Sequence, residues 1–149
     1  MNEAPKIDVS SRISPEYLAM QSQMHEEMPH YGVASGHNGR LIDALKTIIK
    51  QYDAKSILDY GCGKGELKKI LGDIVHEYDP AIPGKDGEPD VCDIVVCTDV
   101  LEHIEPDKLD SVLEHMRQKC KHVAVFAIAT RPALKNLPDG RNAHLLVQN

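Results

Sequence analysis

The stretch SILDYGCGKGELKKIL, from Ser56 to Leu71, constrains this chain more than any other. A short apolar run enters a turn in which Gly61, Gly63 and Gly65 alternate with other residues, and the pattern leaves as a helix. Glycine tolerates positive φ and lets another backbone or a ligand approach closely, so such a turn is built for tight reversal. The helix that follows points its free N–H groups into the turn, which favours a ligand carboxylate or phosphate there.

Spacing separates the cofactors that use such turns. A P-loop needs G-x-x-x-x-G-K-[ST], but here Lys64 lies between two glycines and no Ser or Thr follows. Dinucleotide folds want G-x-G-x-x-G, and Glu66 stands where the third glycine belongs.

The rest of the chain alternates in the same way. Ser14-Pro15 reads as a cap and first helical position, opening a helix that Pro29 stops after Met28. A second helix over 39–52 places Leu41, Ile42, Leu45, Ile48, Ile49 and Tyr52 on one apolar stripe. Strands follow at 56–60, 74–79, 92–98 and 122–129, with a helix at 66–71 and another over 106–119. Strand–helix alternation argues for an α/β fold, a parallel sheet flanked by helices. The 149 residues make one domain. It divides into an N-terminal helix and cover loop (1–37), a core (38–129) and a polar tail (130–149).

The net charge of −6 counts against a broad nucleic-acid or anionic-membrane surface. No apolar run approaches a membrane span and no secretory signal is evident, so a cytoplasmic location is expected. Cys62, Cys92, Cys97 and Cys120 show no C-x-x-C spacing and read as reduced, packed thiols. In HEEMPH, Pro29 ends the helix that would align two ligands, so His25 and His30 read as a solvated helix end. No metal site is expected.

The G-x-G-x-G spacing after Asp59 resembles motif I of class I S-adenosylmethionine (SAM)-dependent methyltransferases. Two further stretches share the likeness: HEYDPAI, and CDIVVCTDVLEHIEPDKL with its D-V-L-E-H segment. The resemblance covers about Leu41 to Ala129. It implies a Rossmann-like open parallel sheet and SAM as cofactor, with S-adenosylhomocysteine as product. Asp59, Gly61, Cys62, Gly63 and Gly65 would face the methionyl part. Asp79, 18 positions after Gly61, would bond the ribose hydroxyls, with Glu77 as competitor. Pro80 and Ile82 would flank the adenine, and Asp99 and Val100 would line the floor beneath the methyl group. Tyr31 and His37 belong to a segment that in this family often closes over SAM. His37 and His103 are the candidate bases, with His144 as a further option. His103 also reads as a capping residue of the helix that follows. Arg131 and Arg141 would suit an anionic substrate, or would simply belong to a surface loop.

The chain departs from the family in two places. Only 14 positions separate Asp79 from Asp93, too few for a helix and third strand. The last helix and the antiparallel strand pair of the complete fold are also missing. In the family's strand numbering the expected order is 2-1-4-5, with helices on both faces. His144–Val147 would add a short edge, and Asp90 or Glu88 would substitute for the adenine-binding acid. The last strand's edge is left open, so either a homo-oligomer forms there or the tail covers it. Three functions fit: methyl transfer to a small-molecule acceptor, a non-catalytic SAM-binding or partner module, and SAM breakdown by a lyase or hydrolase. Nucleic acid is a disfavoured substrate.

Overall fold

The computed structural model describes residues 8–33 and 38–147. Four strands, β1 (Ile57–Tyr60), β2 (Val75–Tyr78), β3 (Cys92–Thr98) and β4 (Cys120–Ala127), form one sheet in the order β2-β1-β3-β4. Every pairing is parallel. The four helices are α1 (Pro15–Glu27), α2 (Gly39–Gln51), α3 (Glu66–Leu71) and α4 (Leu109–Lys119). This is the expected α/β sheet, and its order is that of strands 2-1-4-5 in the family.

Strand alternation distributes the core onto two faces. Ile57, Val75, Ile94 and Val96 pack against Ile42 and Leu45 of α2 and Leu67 of α3. On the other face, Leu58, Tyr60, Tyr78, Val95 and Cys97 meet Val112 and Met116 of α4. Leu45, Leu67 and Ile94 are fully buried, each contributing about 1.5–3 kcal/mol.

A third apolar cluster joins α1 to the tail through Ile13, Tyr17, Met24, Leu137 and Ala143. Hydrogen bonds fix this layer to the segments that leave β2 and β3. The Tyr17 hydroxyl donates to the His103 carbonyl (2.6 Å), and Ser22 Oγ donates to the Ala81 carbonyl (3.2 Å). So α1 and the tail roof the carboxyl ends of the strands, where open α/β sheets bind ligands. The order of strands reverses between β1 and β3, placing the crevice there.

Several local expectations change. β4 starts at Cys120 rather than at residue 122. Pro106–Lys108 is a 3-10 turn ahead of α4 rather than its first turn. Residues 144–147 form a turn and add no strand, because His144 and Leu146 are bonded back to Asn142 and Glu102. The tail packs on α1, away from the β4 edge, which has no partner strand among the described residues. Tyr52 lies past the apolar stripe of α2 and stacks on His122, 5.8 Å between ring centroids. Among the described residues no helix is long and apolar enough to cross a membrane.

Candidate active site

β1 ends on Asp59-Tyr60 and hands over to the glycine turn. Gly61 has φ +79°, and a Cβ there would strike the Val100 side chain. Gly63 has φ +53°, and its Cα face lies against the backbone of Gly32. The turn is therefore tight because protein, from two directions, presses on it.

Its amides are spent inside the fold, which corrects the expectation of an anion cradle. The N–H groups of Gly61 and Cys62 both donate to the Tyr78 carbonyl, at 2.8 and 3.0 Å. Gly63 donates to Asp79 Oδ2 (3.0 Å), Lys64 to the Gly32 carbonyl (3.0 Å) and Gly65 to the Cys62 carbonyl (3.0 Å). What faces the ligand space is a carboxylate.

Asp59 is 1% exposed, and its Oδ2 has no hydrogen-bond partner. Burial, with the neighbouring Glu77 and Asp79 carboxylates, pushes it up to about 7. A buried acid without a partner is costly, so a cationic group beside it would be welcome.

The space before it is a cavity of about 490 Å3, within the usual range for small-molecule sites. Of the residues expected to hold a cofactor, Asp59, Gly61, Cys62, Gly63, Asp79, Pro80, Asp99 and Val100 all line it. Gly65 and Ile82 do not. Gly65 caps α3 and lies under the Glu77–Lys85 ion pair (3.2 Å), which also occupies the acid that competed with Asp79. The Ile82 amide and carbonyl instead close the loop from Asp79 to Lys85.

Asp79 is held at both oxygens, Oδ1 by the Ala81 amide (3.0 Å) and Oδ2 by the Gly63 amide. A carboxylate has about four acceptor positions, so Asp79 keeps acceptor capacity for a ligand. Asp99 follows β3 with φ +54°, a conformation that Asp tolerates better than most side chains and that gathers at functional sites.

Of the residues expected to meet a substrate, Tyr31 and Arg131 line the cavity, but Arg141 does not. Arg141 is spent on Asp139 at 2.8 Å, an exposed pair inside the tail turn. His103 lines the cavity, with Nδ1 on the Ala143 carbonyl (2.8 Å). Burial and the nearby His144 lower it to about 4, so it is neutral and weakly basic near pH 7. His37 lies outside the described residues. Glu88 faces away from the cavity and bonds His115 (2.7 Å) and Lys119 (2.9 Å). Asp90 likewise lies outside the cavity lining.

The cover segment with Tyr31 was expected, but the share of the roof that α1 supplies was not. Tyr17, Gln21 and His25 of α1 line the cavity. His25 is no solvated helix end: its side chain is 12% exposed and its Nε2 lies 4.0 Å from Asp79 Oδ2. Burial lowers its pKa, keeping the ring neutral. Tyr31 packs on that ring, 4.8 Å between centroids, and its hydroxyl donates to Gln21 Oε1 (2.6 Å). Gln21 shares a helical face with Tyr17 and Met24, which was its signal, whereas His25 gave none.

With this geometry in place, comparison with known families decides the assignment. The model of a methyltransferase domain matches residues 24–149. The chain belongs to that methyltransferase-domain family. No curated protein and no solved structure matches it at a significant level. The match takes in the last turn of α1, with His25, and the whole tail, while Tyr17 and Gln21 lie ahead of it.

Proposed function

We propose that this methyltransferase domain uses SAM and transfers its methyl group in line to a small-molecule acceptor. The observation that carries the reading is the buried, unpartnered Oδ2 of Asp59 on the wall of a cavity at the strand ends. SAM, when bound, supplies an electrophilic methyl group on a positively charged sulfur. The residues present fit such a molecule. Asp59 would receive its ammonium group, ionising as it does so. Asp79 would accept ribose hydroxyls with its remaining lone pairs, while Pro80 and Ala81 flank the base. Asp99 and Val100 would form the floor under the reacting centre, and Gly32, Tyr31 and His25 would exclude water from above. Tyr31 and Arg131 would meet the acceptor. A second copy of the chain, along the open edge of β4, completes this proposal.

Calorimetric titration with S-adenosylhomocysteine tests it, alongside Gly63→Asp and Asp79→Ala. Binding to the parent that is lost in both variants is expected. No binding at millimolar ligand to folded parent protein overturns the reading. Incubation with SAM alone separates transfer from breakdown: a lyase or hydrolase consumes it without an acceptor.

A further inference from the structure

At one end of the cavity, Glu102, His103 and His144 converge. One carboxylate oxygen and one ring nitrogen from each histidine all lie within 4.8 Å of one another. Glu102 and His103 sit in the 3-10 turn Leu101–His103 that follows β3, and His144 comes from the tail. The His103 and His144 rings are 4.7 Å apart at 88°.

Their hydrogen bonds fix the chemistry. His103 Nδ1 faces the Ala143 carbonyl at 2.8 Å, and His144 Nδ1 faces the Arg131 carbonyl at 2.6 Å. A carbonyl only accepts, so each Nδ1 carries a proton, and a ring that holds one proton keeps its lone pair on Nε2. Backbone carbonyls orienting Nδ1–H in this way are the usual outer support of metal-binding histidines. Glu102 is 1% exposed; Oε1 accepts from the Ala129 amide (3.2 Å), while Oε2 is buried without a partner. With Glu102 ionised, three acceptors thus share one small volume and none can donate to another. Such a set calls for a cation.

We propose that Glu102, His103 and His144 bind one divalent transition-metal ion. Two imidazoles with one carboxylate suit zinc, manganese, iron or cobalt better than magnesium or calcium, which prefer oxygen alone. Bonds of about 2.0–2.2 Å hold donors no more than about 4.4 Å apart, so small movements of the two half-buried histidines close the set. All three residues line the cavity, so the remaining coordination positions open into it. The ligand they take is an oxygen donor, and on the methyltransferase reading a hydroxyl or carboxylate of the acceptor. The metal site itself does not depend on that reading. The spacing carries no sequence signal, because the third donor arrives from the far end of the chain.

The test is cobalt(II) titration of the full chain after chelator treatment, followed by visible spectroscopy and zinc displacement. His144→Ala and Glu102→Gln are compared, with circular dichroism confirming that each is folded. Expected is one equivalent of cobalt, displaced by zinc, at least tenfold weaker in both variants, without a thiolate-to-cobalt band. Absence of binding in the low millimolar range overturns the proposal. So does undiminished binding in both variants, or a thiolate band, which would put the ion on cysteine. Should Glu102→Gln not fold, His144→Ala decides alone. Because cobalt is read without SAM or acceptor, failure here leaves the cofactor titration untouched.

Discussion

Asp59 and Glu77 are register partners on β1 and β2, so their two carboxylates stand side by side on one face of the sheet. Glu77 has Lys85 at 3.2 Å, whereas Asp59 Oδ2 has no hydrogen-bond partner. Burial first, then Glu77 and Asp79, raise Asp59 from the ordinary carboxylate range to about 7. The native protein therefore keeps a proton that the unfolded chain releases near pH 4. The contribution of Asp59 to stability is greatest below that point, declines as pH rises to about 7, and levels off above it. Over that window the loss from this one group is on the order of 4 kcal/mol. Asp59→Asn cannot ionise and should escape it. Urea midpoints at pH 4.5 and 7.5 should move in the variant's favour as pH rises; a constant difference between the two proteins contradicts this.

The same acid ties ligand binding to pH. A ligand ammonium beside Asp59 favours its ionised form, so binding below pH 7 expels the proton. S-adenosylhomocysteine affinity should rise by up to about tenfold per pH unit between pH 5 and 7. Calorimetry at pH 6 in buffers of different ionisation heat should report close to one proton released, and Asp59→Asn should report none. Equal heats in all buffers would show that Asp59 does not face the ligand's cation.

How far the sequence reaches is clear from these residues. Strand β1, its glycine turn and α3 were legible because their signals are local: an apolar run, three glycines and a helical pattern within 16 residues. The family resemblance pointed to Asp79 at the end of β2, and it lies beside the turn, on the Gly63 amide. The α1 side of the roof was not legible, since His25 reads as a solvated helix end and is buried only by contacts with Tyr31, Gly32 and the strand ends. Nor was the fate of the turn's amides, which depends on where Tyr78, Asp79 and Gly32 come to rest. Arg141 misled for the opposite reason: Asp139, two residues away, satisfies it locally.

Two alanine substitutions at glycine should have opposite outcomes. Gly63 combines φ +53° with the Gly32 backbone on its open side, and backbone cannot step aside as a flexible side chain does. Gly63→Ala should cost at least about 1–2 kcal/mol and displace the 31–33 segment, weakening S-adenosylhomocysteine tenfold or more. Gly39 begins α2 with ordinary φ and nothing within 4 Å of a new Cβ. Gly39→Ala should leave binding unchanged and stabilise by up to about 1 kcal/mol, because it restricts the unfolded chain. Thermal melts and ligand titration of both variants check this; equal behaviour would mean that the Gly32–Gly63 contact is not structural.

The β4 edge sets the last expectation. Its outer hydrogen-bonding groups meet no strand among the described residues, and Phe126 and Ile128 are 42% and 50% exposed. The tail, which was one candidate to cover it, is committed to α1 through Leu137 and Ala143. An open apolar edge invites pairing, and two copies related by a two-fold axis would join β4 to β4 antiparallel, continuing the sheet across the dimer. The full chain should therefore sediment as a dimer at tens of micromolar. Phe126→Lys, which sets charges near one another at the join, should shift it at least tenfold toward monomer while leaving the cofactor titration intact. A parent protein that sediments as a monomer at these concentrations rules out this pairing.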